Sequence, residues 1–234
     1  MEAESGREAL EATHAAADAT RDALARARAQ RDELMVLASH DMKNAIGILD
    51  SALTMMEEMP DGAPSMQAMM RRATHRLGIL VRAMIDVDLL QRDLMPLVPI
   101  DVGFAAIATP VVEAAHAVAA TKELRVVPGG ELDARLSCDP SLVERMVAAL
   151  VEHAIANAPN GSAVDVVGAR VAGDRFCIRV AHYGRAVSTA ALDKYFTTLP
   201  LRFCRLAAIR HGGMLRAVSP VENDAGLAFE IELP

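Results

Sequence analysis

Leu37-Ala38-Ser39-His40-Asp41-Met42-Lys43-Asn44-Ala45 decides how the rest of the chain is read. Around it apolar residues recur in alternating steps of four and three: Ala38, Met42, Ala45, Leu49, Ala52, Met56 and Met59. That spacing is the seam of a coiled coil, positions a and d of a heptad. With Ala38 at d, His40 takes f and Asn44 takes c. Both then point away from the seam, one turn apart on the outer face of the helix. A lone histidine on such a face is ordinarily just solvated. This one has a carboxylate, Asp41, beside it, which is what a nucleophilic imidazole needs, and a carboxamide one turn on.

Upstream, residues 2–31 are rich in Ala, Glu, Asp and Arg with no Pro, a helical composition. Leu10, Ala17 and Leu24 repeat every seven residues and continue the seam thinly. A single helix from Glu2 to Met59 would be about 85 Å long and would need a partner, most simply a second copy; the other reading is a frayed arm. Pro60-Asp61-Gly62-Ala63-Pro64 ends the helix in a turn. A second seam follows, with Met66, Met70, Ala73, Leu77, Leu80, Met84 and Val87. Two such helices make an antiparallel hairpin with two apolar stripes and nothing to cover them, so two hairpins should pair as a four-helix bundle. The units expected are an N-terminal coiled-coil helix over 1–33, the hairpin over 34–95 and a second domain over 100–234, after a stiff linker at Met95-Pro96-Leu97-Val98-Pro99.

In the second domain Asp101 is expected to cap a helix reaching Thr121, with Pro110 as a bend. Strands are expected over Glu123–Val127, Leu132–Ser137, Ala163–Val171, Arg175–Ala181, Met214–Val218 and Ala228–Leu233, clustered in antiparallel pairs. Asp139-Pro140 opens a helix to Asn157, and Leu201–Arg210 forms another, ending at Gly212-Gly213. A short helix is expected over Thr189–Lys194. The class is α+β: a helical hairpin, then a sheet covered by helices on one face.

Composition narrows the function. The net charge is −7, which argues against nucleic-acid binding. The 3 Cys residues (Cys138, Cys177, Cys204) are widely spaced and read as free thiols in a reducing cytosol. No signal peptide opens the chain, and the most apolar long run, Val98 to Ala120, holds Asp101, Glu113 and His116. No membrane span is expected, and the location expected is cytoplasmic.

The Ser39-His40-Asp41 and Asn44 pattern resembles the phosphoacceptor box of two-component sensor histidine kinases, although Ala45 stands where that family usually has Pro. The order of elements over Ile100–Pro234 resembles their ATP-binding domain, of the histidine kinase, gyrase and Hsp90 type. Asp139-Pro140-Ser141-Leu142-Val143 matches the start of its asparagine box, and His211-Gly212-Gly213 with Gly226–Pro234 matches its C-terminal end. The resemblance implies a dimeric bundle and an ATP site, but the residues that hold ATP depart from it. The Mg2+ asparagine falls on His153 and a nearby lysine on Ala156, while the acidic Glu152 remains. The adenine-reading aspartate falls on His182, and of two following glycines only Gly184 remains, with Ala186 at the other. The glycine-rich lid reads Thr197-Thr198-Leu199-Pro200-Leu201, without Gly and with Pro200 removing an amide. Neutral imidazole is a poor substitute for the oxygen ligands Mg2+ wants.

Loss of all three parts implies that ATP does not bind and that these positions are vestigial. No protein-bound metal is expected, since no Cys or carboxylate is spaced to join His153 and His182. The function expected is a histidine phosphotransferase, with His40, Asp41 and Asn44 as its catalytic group. It would exchange a phosphoryl group with the aspartates of response-regulator receiver domains, in a homodimer, and with a hybrid kinase as a candidate donor upstream. Mg2+ would come with the receiver. The resemblance also marks a receiver-docking face below His40: Lys43, Gly47, Asp50 and Thr54 on the first helix and Arg72, His75, Arg76 and Ile79 on the second. An active kinase with a divergent ATP site, a phosphatase using Asn44 to orient water, and a docking scaffold are the alternatives.

Overall fold

A computed structural model describes residues 2–58, 63–188, 191–192, 195–221 and 225–234. Met59, the Leu10 side chain, most of the expected turn at 60–64 and most of the expected helix at 189–194 lie outside the described residues.

With no proline before residue 60, α1 runs as one 57-residue helix, Glu2–Glu58. The second helix, α2 (Ala63–Gln91), packs back along it as a hairpin. The heptad seams divide by size. Ala38, Ala45 and Ala52 on α1 and Ala73, Leu80 and Val87 on α2 are buried within the hairpin. Small d-position side chains let the two backbones approach closely. The longer Met42, Leu49 and Met56 of α1, and Leu77 and Met84 of α2, are only partly covered in one chain.

The second domain adds β1 (Ile100–Gly103), α3 (Phe104–Ala120), β2 (Arg125–Gly130), β3 (Arg135–Cys138), α4 (Pro140–Asn157), β4 (Ala163–Val171), β5 (Arg175–Arg185), α5 (Leu199–Arg210), β6 (Met214–Val218) and β7 (Ala225–Leu233). Five strands form one sheet in the order β2-β4-β5-β7-β6, and β1 pairs with β3 as a separate ribbon. The sheet buries Val164, Val166, Phe176, Ile178, Val180, Phe229 and Ile231 in the same core as Phe104, Ile107, Met146, Leu150 and Leu201 of α3, α4 and α5. Asp139 caps α4, accepting from the Leu142 N–H at 3.2 Å, with Pro140 in the first turn. Gly173 and Asp174 both take positive φ, 77° and 59°, in the tight turn joining β4 to β5.

Three expectations are corrected. Asp101 is not a helix cap: it lies in β1 and accepts from Arg135 Nε at 2.6 Å, while Gly103 stands at the N-cap of α3. The helix itself continues through Pro110. The strand expected from Glu123 starts two residues later, because Glu123 holds φ at 57° in the turn after α3. And β2 pairs parallel with β4, not as an antiparallel hairpin with β3. As an edge strand, β2 tolerates Pro128.

The two parts share one continuous apolar core, to which Leu34 and Ala38 of α1 and Leu80, Ala83, Val87 and Leu90 of α2 contribute. Among the described residues three arginine–carboxylate pairs cross between them: Arg202–Glu33 at 2.8 Å, Arg145–Asp86, and Arg210–Asp93 just beyond α2. The linker is tied down as well. The Val98 N–H donates to Asp139 Oδ2 at 3.1 Å, and the Asp139 N–H donates to His211 Nε2 at 3.1 Å.

Candidate functional site

His40 stands on the outer face of α1 with its side chain 75% exposed. Asp41 is mostly covered, and its Oδ1 lies 3.4 Å from His40 Nδ1. A proton on Nδ1 would be held by Asp41 and would leave Nε2 as the unprotonated ring nitrogen. Asn44 is exposed one turn on. Lys43, Gly47, Asp50 and Thr54 follow on exposed turns of α1, and Thr54 Oγ1 donates to the Asp50 carbonyl at 3.1 Å. A Cβ built on Gly47 meets nothing within 4 Å.

The residues singled out on α2 divide. Arg72, His75 and Arg76 are exposed and Ile79 is half-buried. His75 and Ile79 face the second domain, where His75 Nε2 lies 3.7 Å from Glu152 Oε1. Burial lifts the Glu152 carboxyl above the usual range, and His75 and Arg76 pull it back.

The region around His153 is filled by the chain's own rings. His153 packs edge-on against Tyr195 and Phe229, with ring centres 5.3 and 5.1 Å away, and Phe196 lies 6.2 Å from Phe229. Burial, then the neighbouring His182, push the His153 ring down to about 4, so it is neutral. Asn157 Nδ2 donates to the His153 carbonyl at 2.8 Å. His182 is buried near the end of β5, and its Nδ1 accepts from the Gly184 N–H at 3.2 Å. Burial and Lys122 lower its pKa too. Gly184 has a structural reason to be glycine: a Cβ there would lie 2.8 Å from the Asn157 carbonyl oxygen.

The segment where a glycine-rich lid would lie is instead the first turn of α5, with Leu199 and Leu201 fully buried. His153, His182 and the first turn of α5 differ in chemistry from what the resemblance implies for Mg-ATP. They offer imidazoles for a hard cation, aromatic rings for an open pocket and buried leucines for a phosphate cradle. Among the described residues, no group of three or more His, Cys, Asp and Glu is placed to hold a metal.

Sequence reasoning missed Tyr195, Phe196 and Phe229, which are far apart in the chain from His153. It also missed Lys122, whose ammonium donates to the Ile155, Ala156 and Ala158 carbonyls at 2.9, 3.0 and 3.1 Å and so caps the C-terminal end of α4. Its signal, a lysine straight after the apolar run of α3, is too weak to pick out unaided. Among the described residues, no helix is long and apolar enough to cross a membrane.

No family model matches the chain. In sequence it is 24% identical over 233 residues to the sensor-like histidine kinase SenX3 of Mycolicibacterium smegmatis, covering 90% of this chain. It spans only 59% of that kinase's length. In structure it is similar to the Acinetobacter baumannii histidine kinase AdeS, with a TM-score of 0.64 at 17% identity over 83% of this chain and 96% of that one. It is also similar to full-length ShkA, solved in complex with AMPPNP, with a TM-score of 0.61 at 16% identity over 88% of this chain and 46% of that one. A long helical hairpin followed by an α/β sandwich is thus the fold of histidine kinases of known structure, and in fold and order of domains this chain is similar to them.

Proposed function

We propose that this chain is a cytoplasmic histidine phosphotransferase of two-component signalling. Two of its hairpins would form a homodimeric four-helix bundle, and it would relay phosphoryl groups between receiver domains without using ATP. The observation that carries this reading is the contrast between its two ends. His40 is open with Asp41 at its Nδ1, while His153, at the position where the resemblance implies a Mg2+ ligand, packs against Tyr195 and Phe229. ATP catalysis of phosphoryl transfer depends on metal and donor groups aimed at the phosphates, and those are the groups this sequence replaces.

In the step proposed, His40 Nε2 attacks the phosphorus of a receiver's aspartyl phosphate. The P–N bond forms as the P–O bond to the carboxylate breaks, and the aspartate leaves ionised. Asp41 holds the proton on Nδ1 and stabilises the charge that develops on the ring. Return to a second receiver reverses these bonds. Mg2+ belongs to the receiver. Lys43, Gly47, Asp50 and Thr54 offer a free docking face on α1, with Arg72 and Arg76 beside it on α2.

The test is transfer of radiolabel from a phosphorylated receiver, followed on a gel. Wild type should take label, His40→Ala none, and Asn44→Ala should still take it. Mg-ATP should leave the melting temperature unmoved. Binding at 100 times Kd would add about 2.7 kcal/mol and be plain to see, and such a shift would restore the kinase reading. Loss of phosphate from the receiver with no label ever on His40 would mark a phosphatase. Asn44 favours that as the second reading, since it can orient a water from the same face.

A further inference from the structure

Between α2 and the second domain runs a cleft of about 340 Å³ that contains neither His40 nor the rings around His153, though His75, Ile79 and Glu152 line it. Its walls include Gly78, Ile79 and Ala83 of α2, Ala149 of α4 and Phe203 of α5. One end is closed by His75 and Glu152, 3.7 Å apart, and the other lies by the Arg145–Asp86 pair. From His75 to Arg82 is seven residues of helix, about 10 Å. The slot exists because its walls carry small side chains. A Cβ built on Gly78 meets nothing within 4 Å. Interiors normally pack closely enough to leave no such space.

The charge at the second end is not balanced. Asp86, 6% exposed, is matched by Arg145, whose guanidinium also lies 4.8 Å over the Phe203 ring. Arg82 lines the same cleft and makes no ion pair among the described residues. Two guanidinium groups therefore line one apolar slot, and of these only Arg145 has a carboxylate partner among the described residues. Burial lowers the pKa of Arg145, and the Arg82 charge lowers it further.

We propose that this cleft binds a small amphipathic anion, its flat apolar body between α2 and α4 and its phosphate or carboxylate head on Arg82. Guanidinium presents parallel N–H donors to such oxyanions. The ligand touches the hairpin and the second domain at once, so its binding fastens one to the other. The inference does not rest on phosphotransfer, and its test does not use it.

The experiment is calorimetric titration of the full chain with 1-naphthyl phosphate and with 1-naphthoate. One site per chain is expected for at least one of them, and whichever binds identifies the head group. Inorganic phosphate and 1-naphthol, the two halves alone, should bind at least tenfold more weakly. Arg82→Ala and Gly78→Leu should each weaken binding at least tenfold. Leucine at 78 extends into open space and is the better helix former, so this variant removes the slot while keeping the fold, checked by circular dichroism. His40→Ala should bind as wild type does. Absence of binding by both probes at millimolar concentration, or equal affinity in both cleft variants, would overturn the proposal.

Discussion

Asp86 is a nearly buried carboxylate whose partner, Arg145, is itself largely covered. Removing one member of such a pair strands the other charge, which typically costs about 3–5 kcal/mol, whereas replacing both with apolar groups is often neutral. Asp86→Ala should therefore destabilise the chain by about 3 kcal/mol in urea unfolding, and Asp86→Ala with Arg145→Met should recover most of the loss. His153 gives a second test. Its ring is held down to about 4 in the folded chain, against about 6.5 when unfolded. The unfolded chain thus binds the extra proton between those values. Stability is full above pH 6.5 and falls as the pH drops toward 4, by about 3 kcal/mol from this residue. His182, shifted in the same direction, adds to the fall. His153→Leu should flatten the difference in urea midpoint between pH 7 and pH 5; an unchanged slope would mean that the ring is not buried neutral. At this scale the sequence showed His40 and Asn44 on one outer face, with Asp41 beside the histidine, because a heptad assigns every residue a direction. It showed only that His153 and His182 were out of place. What packs on them comes from β7 and from the stretch before α5, and no local spacing carries that.

Among the elements, α4 was legible to the residue, whereas the helix expected from Leu201 starts two residues earlier, at Leu199. The helix α4 begins at Pro140 behind its Asp139 cap, and β4 and β6 have the limits their alternation implies. Asp101 misled for a physical reason: an aspartate before an apolar run suits a cap, but here its carboxylate is taken by Arg135 on the neighbouring strand. The parallel β2–β4 pairing joins Arg125 to Ala163 across a whole helix, and such long-range registers leave no local trace. The heptad seams make an element-scale prediction. Leu80 is buried inside the hairpin, whereas Leu77 is half-covered and, with Met42, Leu49 and Met56, belongs to a stripe that one chain leaves open. In light scattering the wild type should be a dimer at micromolar concentration. Leu77→Glu should yield a folded monomer, since the charge would be buried unpaired only in the dimer. Leu80→Glu should unfold the hairpin itself. A wild-type monomer would contradict the proposed bundle.

For the whole molecule, the contact between hairpin and second domain has a consequence in its dependence on electrolyte. Each of the three arginine–carboxylate pairs that cross it has the acid on the hairpin side, at Glu33, Asp86 and Asp93, and the base on the second domain. The hairpin's own seam is built from Ala, Leu, Val and Met and carries no such charge. Raising ionic strength from 0.1 to 1 M shortens the screening length from about 10 to 3 Å, which weakens exposed pairs far more than buried ones. Glu33 and Asp93 are exposed partners, while Asp86 is not. Small-angle scattering should therefore show the radius of gyration increasing between 0.1 and 1 M NaCl while helicity stays constant. Glu33→Gln with Asp93→Asn should show the larger radius already at low salt and respond little to more. Ionic strength thus acts as a tuning screw on one joint only: it slackens the arm without unwinding the rod that carries His40.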